Sequence, residues 1–214
     1  MKFHQLELDK EFAPLTRTLK AMRAHEKIPA SKKRAATRAR LVDEIQLTVF
    51  ETRIGWLGAA FSQRGLAALH LPRVNRAQAI DALRQEFPNA VVADRAPVEI
   101  EHELREYAEG HRRKFDVLLD WSSMKPFQRT VLEIANKIPF GETRTYAWIA
   151  KQVGKPQASR AVGRALATNP IPIILPCHRV LGSDGGLHGY AGGLAMKAML
   201  LRLEGVAVND ALSA

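Results

Sequence analysis

The stretch from Asn169 to Val180 constrains this 214-residue chain more than any other: an apolar run stiffened by Pro170, Pro172 and Pro176 leads directly into Cys177 and His178. The restriction on a residue preceding proline ends any earlier helix at Asn169. Pro176 fixes the backbone one residue before Cys177 and suits a first helical position. This predicts a helix start whose free N–H groups lower the thiol pKa. Cys177 is the only cysteine in the chain, so it cannot be half of an internal disulfide or one corner of an all-cysteine zinc site. It is either an inert core thiol or a nucleophile. Cysteine is among the most buried residue types, which favours the first reading; the proline before it and the histidine after it favour the second. Adjacent side chains diverge, so His178 as a base is expected to reach the thiol through an intervening water.

A hydrophobic content of 46% with 25% charged residues indicates a soluble globular protein of one or two domains. No apolar run approaches the roughly 20 residues of a membrane span. The first residues, with Glu7, Asp9 and Glu11, lack the apolar core of a signal peptide. A single thiol fits a cytoplasmic, reducing setting. The net charge of +10 points towards nucleic acid or an anionic surface. Met1 to Asp43 holds eleven Lys or Arg against five acids, more than half of that surplus. Residues 1–43 are therefore read as a basic N-terminal extension, with a short amphipathic helix over 12–26 from Leu15, Leu19 and Met22, followed by a solvated arm around Ser31–Arg34.

Residues 44–120 form a candidate α/β domain. Runs at 45–50, 55–61 and 65–71, separated by turn residues, predict an antiparallel meander. Helices are expected over 76–87 and 97–112, and a further strand over 115–119. The histidines here, His70, His102 and His111, have no clustered ligand partners and read as surface or structural residues. From 121 to 214 the pattern is mostly helical. Helices over 127–138, 146–153 and 157–167, the last two joined by Gly154-Lys155-Pro156, form a helix-turn-helix pattern. In the last of these, Ala158, Ala161, Val162, Ala165 and Leu166 make an inward stripe. Ser159, Arg160, Gly163 and Arg164 remain on a thin cationic face that can approach a nucleic-acid backbone closely. Leu194 to Glu204 is a helix stopped by Gly205. Glu204 lies in its last turn, where the dipole disfavours a carboxylate by a few tenths to about one kcal/mol unless a partner offsets it.

Pro176-Cys177-His178-Arg179-Val180 resembles the active-site motif of the O6-alkylguanine-DNA alkyltransferases, also called methylated-DNA-protein-cysteine methyltransferases. The similarity continues through Phe140-Gly141-Glu142-Thr143 with Tyr146, Arg160-Ala161-Val162-Gly163 with Asn169-Pro170, and Gly189-Tyr190-Ala191-Gly192-Gly193-Leu194 with Lys197 and Glu204-Gly205. It covers about residues 121 to 205 without a gap. The resemblance implies an α+β chain whose antiparallel N-terminal sheet carries helices and whose C-terminal half is a helix-turn-helix, winged-helix-like domain bearing the cysteine. It implies direct-reversal repair of double-stranded DNA containing O6-alkylguanine, with O4-alkylthymine as a secondary substrate. One molecule acts once, as a monomer, without cofactor or metal.

The implied roles follow the same motifs. Cys177 accepts the alkyl group, and a water, His178 and Glu204 form its relay. Asn169 ties the recognition helix to the active-site segment. Arg160 enters the minor groove as an intercalating finger, with Gly163 on the same face, and Tyr146 crowds the phosphate beside the flipped base. Pro172 lines the base pocket. Backbone carbonyls of Cys177 and Val180 accept the guanine amino group, Tyr190 donates to N3, and the Ala191 N–H bonds O6. Relatives often carry serine at the Ala191 position, and His188 lies outside the shared pattern. Two other classes are weighed beside this one: a non-catalytic alkylated-base-binding protein, against which the thiol speaks, and a helix-turn-helix transcription regulator, which needs no Cys-His pair.

Overall fold

The meander forms because its alternation serves two buried faces. Strand β1 (Gln46–Thr52) pairs antiparallel with β2 (Gly55–Ser62), which pairs antiparallel with β3 (Gly65–Arg73). Leu47, Ala60 and Ala68 face helix α1 (Arg76–Glu86) through Leu83, whereas Phe50, Leu57, Ala59, Leu66 and Leu69 join the main core. Leu66 and Leu69 share a face despite their odd spacing because the register slips between Ala60 and Phe61, as a bulge does. The computed structural model describes residues 45–93 and 97–208, all within the unit Asp43–Ala214. The basic extension 1–43, with its expected helix over 12–26, lies outside the described residues.

Three expectations are corrected or extended. A two-residue strand β4 (Val91–Val92) pairs parallel with β1, giving the order β3-β2-β1-β4. The helix expected over 97–112 is α2 (Val98–Ala108); Gly110 takes a left-handed φ of 81° and ends it, as a C-terminal glycine does. The strand expected over 115–119 is absent. Phe115, Val117 and Leu119 do pack inward, but only Leu66↔Leu119 forms a bridge, through Leu66 N to Leu118 O and Asp120 N to Leu66 O, both 2.8 Å. The next donor on that edge, Leu69 N, is bonded at 2.8 Å to Pro170 O of the proline-rich segment. The edge that a fifth strand needs is thus occupied by the segment carrying Cys177. Gly65 permits the single rung, since a Cβ there would lie 2.3 Å from Leu118 O.

The remaining chain is helical. Helix α3 (Pro126–Ala135) begins with proline at its first position. Strand β5 (Arg144–Thr145) leads into α4 (Tyr146–Gln152), whose N-terminus Thr145 caps by accepting from Trp148 N at 3.1 Å. A turn with Gly154 at φ 72° joins α4 to α5 (Ser159–Ala167). After the proline-rich segment come a three-residue 3₁₀ turn at Cys177–Arg179, strand β6 (Val180–Leu181) parallel to β5, and α6 (Leu194–Leu203). The pairing of β5 with β6 was not legible in two-residue strands, yet it sets the start of α4 beside the residues following Cys177. One apolar core runs from Phe50 in β1 to Leu200 in α6. No helix among the described residues is long and apolar enough to cross a membrane.

Candidate active site

Every residue from Ile171 to Val180 is buried. Buried irregular backbone must find partners for its polar groups, and prolines reduce the demand because they bring no N–H. The rest is met locally. Asn169 Oδ1 accepts from Ile171 N at 3.0 Å, and Asn169 Nδ2 donates to Leu175 O at 2.7 Å. Leu175 N donates to Ile171 O at 2.9 Å, and Arg179 N to Pro176 O at 3.0 Å. Ile173 adopts φ 73°, a left-handed conformation that costs a β-branched residue on the order of 1–3 kcal/mol and persists only where its surroundings over-determine it. A fully buried side chain and Pro170 docked on β3 supply that constraint.

The same segment corrects the expected thiol chemistry. Cys177 begins a single 3₁₀ turn, too short to carry a helix dipole, and its own N–H donates to Leu175 O at 2.8 Å. Burial pushes the thiol pKa up, partly countered by the Asn169 amide 3.2 Å from Sγ and by the charge of Lys197. In the free protein Cys177 is therefore a protonated thiol.

Behind it lies a buried charge network around Glu204, which caps the end of α6. Glu204 Oε1 accepts from His178 Nε2 at 2.7 Å, Tyr107 OH at 2.8 Å and Arg179 Nη2 at 3.0 Å. Oε2 accepts from Arg179 Nε at 2.7 Å and Gly141 N at 3.3 Å. Although burial opposes its charge, the bonds from His178 and Arg179 hold its pKa down at about 2, and these donors offset the dipole penalty anticipated at a helix end. Sequence reasoning anticipated one partner, His178, and missed three: Arg179, Tyr107 and the Gly141 N–H. Arg179 was adjacent in the motif. Tyr107 sits on α2, 97 residues away, and carried no sequence signal.

The network also assigns the imidazole tautomer. An ionised carboxylate can only accept, so His178 Nε2 carries the proton and Nδ1 keeps its lone pair. Nδ1 is buried with no hydrogen-bond partner, and burial lowers the His178 pKa, keeping the ring neutral. Lys197, which the sequence offered within the resemblance but without a role, is fully buried. Its Nζ donates to Val180 O at 2.7 Å and Leu187 O at 2.5 Å, and burial brings its pKa down to about 8.

Two cavities meet in front of Cys177. A narrow pocket is lined by Tyr146, Gly163, Asn169, Pro172, Cys177, Tyr190 and Ala191, together with Leu166, Ala167 and Gly189. Tyr146, Gly163, Tyr190 and Ala191 also line a broad cleft of about 750 Å³, where exposed Arg160 and Arg164 of α5 face His188. Of the site residues read from sequence, His178 and Glu204 lie behind the pocket and Val180 is buried with its carbonyl held by Lys197. The Tyr190 hydroxyl is buried without a partner, and burial raises its pKa, so it remains a phenol donor. His188, at φ 51°, pairs with Asp184 at 2.9 Å and sets its ring edge-on to Tyr146. His70, His102 and His111 pair with Glu86, Glu106 and Glu109. Among the described residues no three His, Cys, Asp or Glu side chains gather as metal ligands do.

Residues 126–206 match the family model described as the 6-O-methylguanine DNA methyltransferase DNA binding domain. A methylated-DNA–protein-cysteine methyltransferase of Methanosarcina acetivorans is 41% identical over 158 residues, covering 73% of this chain and 96% of that protein. The crystal structure of the Mycobacterium tuberculosis O6-methylguanine methyltransferase is 36% identical, covering 78% of this chain and 97% of that one with a TM-score of 0.65. A structure of OGT from the same organism in complex with DNA is 38% identical with a TM-score of 0.64, covering 74% and 92%.

Proposed function

The chain belongs to the methylated-DNA–protein-cysteine methyltransferase family, and on that premise we propose that it repairs double-stranded DNA by moving the alkyl group of O6-alkylguanine onto Cys177. The observation that carries this reading is the buried thiol facing a narrow pocket, with a neutral His178 behind it whose Nδ1 lone pair is unshared. A protonated thiol is a weak nucleophile, so its proton must leave as the bond forms. His178 Nδ1 takes it, through a water, and the resulting imidazolium is stabilised by Glu204. Sulfur then displaces the guanine O6 in line: the S–C bond forms as the C–O6 bond breaks, and the electron pair returns to the base, which regains its proton from solvent. A thioether is a poor leaving group, so each molecule acts once. Asn169, donating to Sγ at 3.2 Å, stabilises the developing thiolate.

Access follows from the lesion's position, since O6 is reached by a protein thiol only when the nucleotide is flipped out, at a cost of a few kcal/mol. Arg160 fills the vacated stack and Tyr146 crowds the adjacent phosphate. Pro172 walls the base pocket, the unpartnered Tyr190 hydroxyl donates to N3, and the Ala191 N–H meets O6. The Cys177 carbonyl and the second lone pair of the Val180 carbonyl receive the guanine amino group, which adenine lacks. O4-alkylthymine fits the same pocket as a secondary substrate. Residues 121–214 carry the DNA-binding and transfer chemistry and residues 44–120 support them. The protein works as a monomer in the reducing cytoplasm. Intact mass after incubation with an O6-methylguanine duplex tests the reading: the protein gains one methyl, product stops at one equivalent, and continued product formation beyond that would overturn it.

Gly163 gives a separable prediction. A Cβ added there meets nothing closer than the Tyr146 ring at 3.9 Å, so the protein itself has room for it. Gly163→Ala should stabilise α5 by up to about 1 kcal/mol and raise the melting temperature. The same methyl projects into the cleft that receives the DNA backbone, so affinity for duplex should fall. Unchanged duplex affinity would show that the bare position serves only the helix.

A further inference from the structure

We propose that Tyr107, on α2 in the N-terminal half, is a positioning residue of the alkyl-transfer site that sets the basicity of His178 by competing for Glu204 Oε1. The proposal rests on the reading above. Glu204 Oε1 has two in-plane lone-pair sites but receives three donors: Tyr107 OH at 2.8 Å, His178 Nε2 at 2.7 Å and Arg179 Nη2 at 3.0 Å. Each donor draws charge from the oxygen and weakens its bond to the others. The arginine is a fixed cation with a second anchor on Oε2 at 2.7 Å and a third on Ile138 O at 2.7 Å, so it is committed whatever the protonation of His178. Tyr107 is the neutral competitor. It is fully buried, and its ring packs on Phe115 and Phe140 with centroids 5.5 and 6.3 Å away.

The charged and titratable groups facing this carboxylate and imidazole are Tyr107 from α2, Arg179 from the 3₁₀ turn, Lys197 from α6 and Tyr190 from the loop that precedes α6; Gly141 adds its N–H. Burial and the neighbouring Glu204 raise the Tyr107 pKa well above its ordinary value, so it stays a donor throughout the range in which the imidazole titrates. Arg179 and Lys197 both favour the neutral imidazole. Tyr107 acts in the same direction without a charge, by taking part of the acceptor that would stabilise the imidazolium. The transfer step needs a neutral His178 to begin, so the arrangement extends activity to lower pH.

The test is the single-turnover transfer rate from an O6-methylguanine duplex as a function of pH, for the parent chain and Tyr107→Phe. The phenylalanine keeps the ring packing and removes the competing donor. The acid limb should move to higher pH by about half a unit, roughly a threefold loss of rate below the limb relative to each protein's own plateau. A purely structural hydrogen bond would lower the rate uniformly or leave it alone, and a limb that stays in place overturns the inference. Difluorotyrosine at position 107, a stronger donor of nearly the same shape, should move the limb the opposite way and provides the test if the phenylalanine variant does not fold. A parent chain that transfers no alkyl group fails the reading of function; a parent that transfers, with limbs that coincide in both variants, fails only this inference.

Discussion

Cys177→Ser is expected to bind a lesion-containing duplex as the parent does while transfer falls by on the order of a thousandfold or more. Binding persists because the proposed base contacts come from backbone carbonyls, the Ala191 N–H and the Tyr190 hydroxyl. None of them is the thiol. Transfer is lost because an alcohol ionises far less readily than a thiol, and a neutral imidazole of lowered pKa is too weak a base to deprotonate it. Even the native thiol is held protonated by burial, so the site has little to spare. Mobility shift with the lesion duplex measures the first half, and mapping the methyl to the peptide containing Cys177 measures the second. Undiminished transfer by the serine variant would show that sulfur is not the acceptor.

Glu204→Gln should damage the fold as well as the chemistry. The carboxylate neutralises Arg179 in a site where both side chains are almost wholly buried. Removing one partner of a buried pair leaves an uncompensated charge, typically about 3–5 kcal/mol. Denaturant unfolding should show that loss. The sign of the pH effect follows from the shift. The Glu204 pKa falls from an ordinary 4.5 to about 2 in the folded state, so its contribution is complete above about 4.5 and disappears as pH drops towards 2. The two values correspond to roughly 3 kcal/mol. His178 acts in the same sense: its pKa is lowered from 6.5, so the unfolded chain binds the proton first and stability declines as pH falls through that ordinary value. The glutamine variant should therefore lose stability less steeply between pH 4.5 and 2 than the parent. Equal midpoints and parallel acid profiles would remove Glu204 from both roles.

The sequence by itself determined a good deal of this protein. Period-two and period-3.6 patterns are local, and they gave the meander, the helix-turn-helix and the inward stripe of α5 with their boundaries close to those observed. The motif around Cys177 singled out the residues that the fold gathers about one pocket, because each of Tyr146, Gly163, Asn169, Pro172, Tyr190 and Ala191 belongs to a short segment with its own signature. What failed were statements about environment. Phe115–Leu119 alternates like a strand, but whether it pairs depends on who holds the free edge of β3, and Pro170 holds it at Leu69 N. Pro176 suggested an activated thiol at a helix start, but thiol ionisation depends on burial, and burial is a property of the whole core. Tyr107 and Glu204 meet across 97 residues. Side-chain periodicity reports which face a residue takes, and only packing decides what that face meets. The residues that line the pocket could thus be named from the chain and its family resemblance, while the protonation state of its thiol and the company its carboxylate keeps were decided by the tertiary structure, because electrostatic energies follow distance and burial in space and not separation along the sequence.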